Sequence, residues 1–292
     1  MSEGLGALPD RAEFAGLSLP EPLPGGHLFR CRQCSLVFRH PILDAAEYGA
    51  LYAQADADVW DSKASSLRAD QVLVKQFIES SLPDGARVLD IGCYTGDFLR
   101  ALDQSYQKFG VEKSRRAAQR CTDAGIGIIG EDLYQLGELN QRFDVIVAMD
   151  VIEHTVSPSR FIASMLDLLA DDGMILLTTG DADNPVWRKA KSAFWYCMYA
   201  EHISFISEEW LQTDRRSQGY QVDQLRRFRY EQPAPFKIVA KRLLVKLASI
   251  IGAKPRATWT AHISDDHLFV SIKQSNPHSR PTEPGPSPQP SS

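Results

Sequence analysis

The segment Arg87-Val88-Leu89-Asp90-Ile91-Gly92-Cys93-Tyr94-Thr95-Gly96-Asp97-Phe98-Leu99 sets a carboxylate and two glycines where an apolar run gives way to a helical pattern. It reads as strand, turn and helix. Gly92 and Gly96 carry no Cβ, so the backbone of this turn can come close to a ligand lying across the strand's carboxyl end. A dinucleotide-binding turn is spaced G-x-G-x-x-G and meets a pyrophosphate at a helix N-terminus. Here the spacing is Asp90-x-Gly92-x-x-x-Gly96, with a negative charge as the strand ends. That charge repels phosphate and suits an ammonium group. An ordinary βα turn of a Rossmann-like sheet is the plain structural alternative.

More acids close the apolar runs that follow. Lys108-Phe109-Gly110-Val111-Glu112 is a second strand, and Ser114 is placed to cap the next helix. Glu112 lies at the distance beyond the turn, about twenty residues, at which an acid can accept hydrogen bonds from ribose hydroxyls. Residues 126–133 are a third strand closed by Asp132, and 143–154 a fourth that runs into Asp150, Glu153 and His154. Solvated strand-end acids and helix caps account for the same residues. Ser157-Pro158 opens a helix, Asp171-Asp172-Gly173 ends it, and 174–179 is a fifth strand. Further strands fall at 220–230 and 267–273. Strands alternating with helices in this way build a mostly parallel sheet with helices on both faces.

With these elements laid out, Asp90-x-Gly92-x-x-x-Gly96 resembles the first motif of the class I S-adenosylmethionine-dependent methyltransferases, D-x-G-x-G-x-G, with Tyr94 replacing the middle glycine. Residues 143–154 match F-D-V-I-x-x-x-D-V-I-E-H of those enzymes. Gly180-Asp181, Trp195 and His202-x-x-Phe205-x-Ser207 resemble segments of polysaccharide-linked relatives. The resemblance runs from about Val88 to Phe205. It implies a Rossmann-like, seven-stranded α/β fold, S-adenosylmethionine as cofactor, and a sugar or glycan hydroxyl as acceptor, with a phenolic or quinone-like metabolite as the related alternative. By position, Asp90, Gly92, Cys93, Tyr94 and Gly96 form the cofactor turn, Glu112 takes the ribose, Asp132 and Leu133 the adenine, and Asp150 and Glu153 shape the pocket. A methyltransferase-shaped binding module without catalysis remains the alternative of a different class.

Methyl transfer from a sulfonium is an in-line displacement, so the protein mainly aligns donor and acceptor and excludes water. An alcohol acceptor must also lose a proton, and a positioned base contributes about 10²–10⁴-fold. His154 is the first candidate, His202 the second, and Asp181 a candidate for acceptor hydroxyls. Each histidine has an equally weighted reading as a structural loop side chain. No metal constellation stands out in the core.

Residues 1–45 read as an appendage: an extended or partly disordered arm over 1–26, then a hairpin over 27–41. Cys31-x-x-Cys34 has the spacing of half a zinc ribbon, and His27 and His40 are the candidates to complete four ligands. A metal-free remnant packed through Leu36, Val37 and Phe38 is the favoured reading. The 46–274 segment is the methyltransferase domain, with a leading helix over 48–82 whose Tyr48, Tyr52 and Trp60 are candidates for the substrate mouth. Residues 275–292 are a disordered tail.

The chain has 292 residues, 43% of them hydrophobic, a formal charge of −5 and five scattered cysteines. These values argue against binding nucleic acid through bulk charge and against a disulfide framework, and they fit a cytoplasmic protein with one catalytic core. Arg215, Arg216, Arg226, Arg227 and Arg229 form a possible local basic patch or a solvated face. An inserted helix at about 234–253 carries an apolar stripe, Val239, Leu243, Leu247 and Ile250, opposite Lys237, Lys241, Arg242 and Lys246. A helix covering the active site is the expectation, with peripheral membrane contact as the alternative.

Overall fold

The computed structural model describes residues 1–54, 67–136 and 141–275. Trp60, residues 276–292 and the middle of the helix expected over 48–82 lie outside the described residues. Either side of that gap the chain forms α1 (Ala45–Gln54) and α2 (Ala69–Ser81).

The central sheet has seven strands. Its parallel part is β6 (Arg87–Ile91), β7 (Gln107–Val111), β8 (Gly127–Gly130), β9 (Phe143–Met149) and β10 (Leu169–Gly180), and it is completed by β12 (Tyr220–Phe228) and β13 (His267–Gln274). The order is β12-β13-β10-β9-β6-β7-β8, and β13 pairs antiparallel with both of its neighbours. The mostly parallel, seven-stranded expectation holds.

Period-two alternation explains why the strands read as continuous apolar runs. Val145 and Val147 of β9 pack on one face with Val74 and Ile78 of α2, Phe98 and Leu99 of α3 (Asp97–Ala101), and Cys121 of α4 (Arg115–Asp123). Ile146 and Ala148 pack on the other face with Phe161, Ile162 and Met165 of α5 (Pro158–Leu166) and with Trp210 and Leu211 of α7 (Glu208–Gln218). Burying both faces leaves no room for polar alternation.

Side chains set where the helices begin. Ser114, Ser157 and Ser207 each accept a hydrogen bond from a backbone amide of the first turn of α4, α5 and α7. Pro158 occupies the first turn of α5, where its missing N–H costs nothing. A further short helix, α6 (Pro185–Ala190), is capped by Asn184.

The N-terminus differs from the expected arm. Strands β1 (Ser2–Ala7), β2 (Arg11–Phe14) and β3 (Leu17–Leu23) occupy the region read as aperiodic. The expected hairpin is present as β4 (His27–Cys31) and β5 (Val37–His40), and a second sheet runs β1-β4-β5-β11, the last being Ser204–Phe205. The appendage therefore shares a sheet with a segment more than 160 residues away in sequence. Leu8, Leu28, Val37, Trp187, Phe194 and Phe205 form its small core. Strand β1 escaped sequence reading because its pairing partner is β4, not a strand with a turn signal beside it, whereas β2 and β3 pair with each other across Ala15-Gly16.

The helix expected at about 234–253 is α8 (Pro235–Ile250), followed by α9 (Ala257–Thr260). Among the described residues none of α8 lines the main cleft, so it does not cover the active site as expected.

Candidate active site

Because β6, β7, β8 and β9 are parallel, their carboxyl ends share one edge of the sheet, and the loops that follow open there into a cleft of about 540 Å³. Asp90, Gly92, Cys93, Tyr94, Glu112, Asp132, Leu133, Asp150, His154 and His202 all line it. Residues from five separate segments are brought together at this edge.

The turn after β6 is held from below. Gly92 and Gly96 have φ of +73° and +78°, and Tyr94, in the place of the family's middle glycine, also takes a left-handed φ of +51°. The Tyr94 amide donates to Glu112 Oε2 at 2.8 Å, and the Ser114 amide to Oε1 at 2.7 Å. Glu112 thus ties the first turn to the second strand end. Gly96 is not among the cleft-lining residues. A Cβ there would lie 2.5 Å from Ile126 Cδ1, so its smallness serves packing beneath the turn. Cys93 lines the cleft, but its sulfur lies 3.8 Å from Cys121 Sγ.

Charge at the strand ends is mostly acidic. Asp90 is 3% exposed, and burial pushes its carboxyl well above the usual carboxylate range against the pull of Arg68. Asp150 is also pushed up by burial and by nearby Asp70, while Arg68 opposes this. Arg68 donates to both oxygens of Asp70, at 3.1 and 2.7 Å, and its Nη2 lies 3.7 Å from Asp150 Oδ2. Sequence reading missed Arg68 and Asp70, which stand ahead of the first strand with no motif around them. Only folding brings α2 over the turn. Asp132 Oδ1 caps the short helical turn Leu133–Gln135 through the Tyr134 amide, 3.0 Å away, so the cap reading holds alongside any ligand role.

The histidines stand on the loops that follow β9 and precede β11. His154 and His202 meet edge to face, ring centroids 4.9 Å apart. His154 Nδ1 lies 2.8 Å from Tyr52 Oη, and His202 Nδ1 2.9 Å from the Tyr196 carbonyl oxygen. An N–H at His202 Nδ1 leaves Nε2 as the acceptor. Burial lowers His154 to about 4 and His202 well below the usual imidazole value, so both are neutral at pH 7. Beneath them Glu153 accepts from Thr179 Oγ1 at 2.9 Å and from the Tyr196 hydroxyl; burial, then Asp150, raise it to about 8. Glu153, His154 and His202 also present one ligand atom each within 4.8 Å of one another, a set of types able to hold a cation, which the sequence reading did not single out.

Some candidates fall outside the cleft. Asp181 is fully buried and bound to Arg227 Nε at 2.8 Å, so it has no access to an acceptor. Arg227 and Arg229, two of the five arginines of the expected basic patch, are engaged by Asp181, Glu208 and Asp265. His27 and His40 face each other at the open end of the β4–β5 hairpin, whereas Cys31 and Cys34 sit at its turn. At about 3.3 Å of rise per residue the two pairs are too far apart to share an ion. Among the described residues no third metal-ligating side chain joins the two cysteines.

A family model described as a methyltransferase domain matches residues 67–225, more than half of the chain. The chain belongs to that family. S-adenosylmethionine is the cofactor of its enzymes, and the methyltransferase described here carries the corresponding turn, strand-end acids and cleft. A curated relative, the ubiquinone biosynthesis O-methyltransferase of Bradyrhizobium diazoefficiens, is 32% identical over 101 residues, which cover 32% of this chain and 40% of that protein. The match thus spans less than half the length of that relative. The magnesium protoporphyrin IX methyltransferase of Synechocystis PCC 6803, solved with bound S-adenosylhomocysteine, superposes with a TM-score of 0.53 at 13% identity, over 80% of this chain and all of that one. It has the same fold.

Proposed function

We propose that this methyltransferase moves the methyl group of S-adenosylmethionine to a hydroxyl of a small, flat, phenol- or quinone-type acceptor. Placing the cofactor along the strand ends follows from its chemistry: an α-amino acid end needs an anion for its ammonium and a cation for its carboxylate. Asp90 and Asp150 would supply the first, the ammonium itself holding them ionised against burial, and Arg68 would supply the second. Glu112 at the end of β7 would hold the ribose, and Asp132 with Leu133 the adenine edge. Left-handed Gly92, Tyr94 and Gly96 give the turn the concave backbone such a ligand requires. The cofactor supplies an electrophilic methyl group on a cationic sulfur.

The observation that carries the acceptor reading is the neutral His154–His202 pair inside an aromatic wall of Tyr52, Trp195, Tyr196, Tyr199 and Tyr230. An imidazole lowered to about 4 is a weak base. It takes a proton from a phenol, whose pKa is about 10, far more readily than from an alkyl hydroxyl of a sugar. Flat aromatic walls also bury a ring better than a polyol. Similarity to an O-methyltransferase of ubiquinone biosynthesis supports the same class. Tyr52 orients His154, which accepts the hydroxyl proton as the methyl group arrives; His202 turns the acceptor toward it.

Acceptor profiling tests this directly. Catechols and hydroquinones are expected to yield methylated product with S-adenosylhomocysteine, and simple glycosides are not. Turnover on glycosides alone would restore the sugar reading, and cofactor binding without turnover on either would leave a binding module.

A further inference from the structure

Helix α8 is amphipathic with its polarity turned outside in. Phe236, Val239, Leu243, Leu247, Ile250 and Ile251 are each between 55% and 72% exposed. Elsewhere among the described residues, exposed large apolar side chains such as Val72, Tyr134, Val156 and Tyr199 occur singly. The inner face is made by half-buried Ile238 and Val245 and by buried Ala248. Two basic side chains fasten the helix: Lys241 Nζ donates to the Ala261 carbonyl oxygen at 3.0 Å, and Arg242 Nε and Nη2 to that of Ile263 at 3.0 and 2.7 Å. A row of exposed aliphatic side chains on a helix tied down through its cations is an unpartnered surface that water alone does not favour.

Charge says what covers it. Residues 234–256 contain Lys237, Lys241, Arg242, Lys246, Lys254 and Arg256 and no acid, in a chain whose formal charge is −5. A second copy of this face would oppose cations to cations with no carboxylate to pair, which penalises self-association. An anionic bilayer surface satisfies both features at once: its acyl boundary takes the aliphatic row, and its headgroups take the flanking ammonium and guanidinium groups. We propose that α8 lies in the plane of an anionic lipid surface and docks the enzyme there as a peripheral protein. No helix among the described residues is long and apolar enough to cross a membrane, so docking is by surface burial. The docked helix stands close to the active site. It packs on α9, whose Thr260 Oγ1 accepts from the amide of Trp195, a residue of the cleft wall, at 3.0 Å.

Flotation of the full chain with vesicles tests the proposal. Phosphatidylcholine vesicles containing about one-third phosphatidylglycerol are expected to carry the protein, and pure phosphatidylcholine vesicles to leave it behind. Leu243→Ser with Leu247→Ser is expected to abolish flotation. Lys237→Ala with Lys246→Ala is expected to weaken it by roughly 25-fold, about fivefold for each charge near such a surface. All four side chains are exposed, so an unchanged Tm and unchanged turnover on a soluble acceptor show that the enzyme itself is intact. The proposal is overturned if the wild-type chain ignores anionic vesicles, or if the leucine variants float equally well. It is also overturned if sedimentation shows a concentration-dependent dimer that the leucine substitutions break, since the face would then be a self-interface.

Discussion

Burial acts in opposite senses on two neighbouring residues of one loop: it raises Glu153 to about 8 and lowers His154 to about 4. For Glu153 the folded protein keeps a proton that the unfolded chain has released between about pH 4.5 and 8, so stability falls as pH rises through that window. Glu153→Gln is expected to flatten the decline in Tm between pH 6 and 8; an unchanged slope would show that another group titrates. For His154 the unfolded chain holds the extra proton below its ordinary value of 6.5, so this contribution to stability is lost as pH falls from there toward 4. The same depression fixes a kinetic expectation. The acid limb of kcat/KM should lie well below pH 6, and His154→Ala should lower kcat by about 10²–10⁴-fold with cofactor affinity preserved in calorimetry. Asp90→Asn belongs to the end of β6. Losing a charged partner costs about 1.5–3 kcal/mol, so the Kd for S-adenosylmethionine should rise by roughly ten- to a hundredfold or more.

The glycine turn between β6 and α3 is the element on which cofactor geometry depends. Gly96 caps α3 in a left-handed conformation, and a methyl group there would meet Ile126 Cδ1 and, at 3.0 Å, Cys121 Sγ. Strain in φ adds about 1–3 kcal/mol to that overlap. Gly96→Ala is therefore expected to lower Tm by several degrees and to weaken cofactor binding, read by thermal unfolding with and without S-adenosylhomocysteine. Tyr94 shows that the element tolerates one non-glycine residue at positive φ. Its amide is anchored on Glu112, and that tether stands in for the permissiveness a glycine would give.

Across the whole molecule, the N-terminal sheet and the catalytic loop are joined through one buried cation. Arg39 on β5 is 5% exposed and donates to the carbonyl oxygens of Gly25, Cys197, Tyr199 and His202, at 2.7–3.2 Å. A planar guanidinium satisfies four acceptors that a lysine could not reach together. Arg39→Ala should cost on the order of 3 kcal/mol by leaving buried carbonyls unpaired, and it should lower kcat by displacing the segment that carries His202. Chemical denaturation and steady-state kinetics on the same variant separate the two effects.

Local pattern determined the strand–turn–helix units, their order, and the acids that close β6, β7, β8 and β9. Parallel strands buried on both faces are written as contiguous apolar runs, and their ends as charged or glycine residues. Asp90, Glu112, Asp132 and His154 were legible for that reason: each stands at or just past the carboxyl end of its strand, on the edge where the cleft opens. What joins residues distant in sequence was decided only by the tertiary structure. Arg68 over Asp90, Arg39 beneath His202, β1 beside β4 and the outward turn of α8 depend on which surfaces meet in space. A one-dimensional pattern gives the amphipathic stripe of a helix, but not which side of it finds a partner.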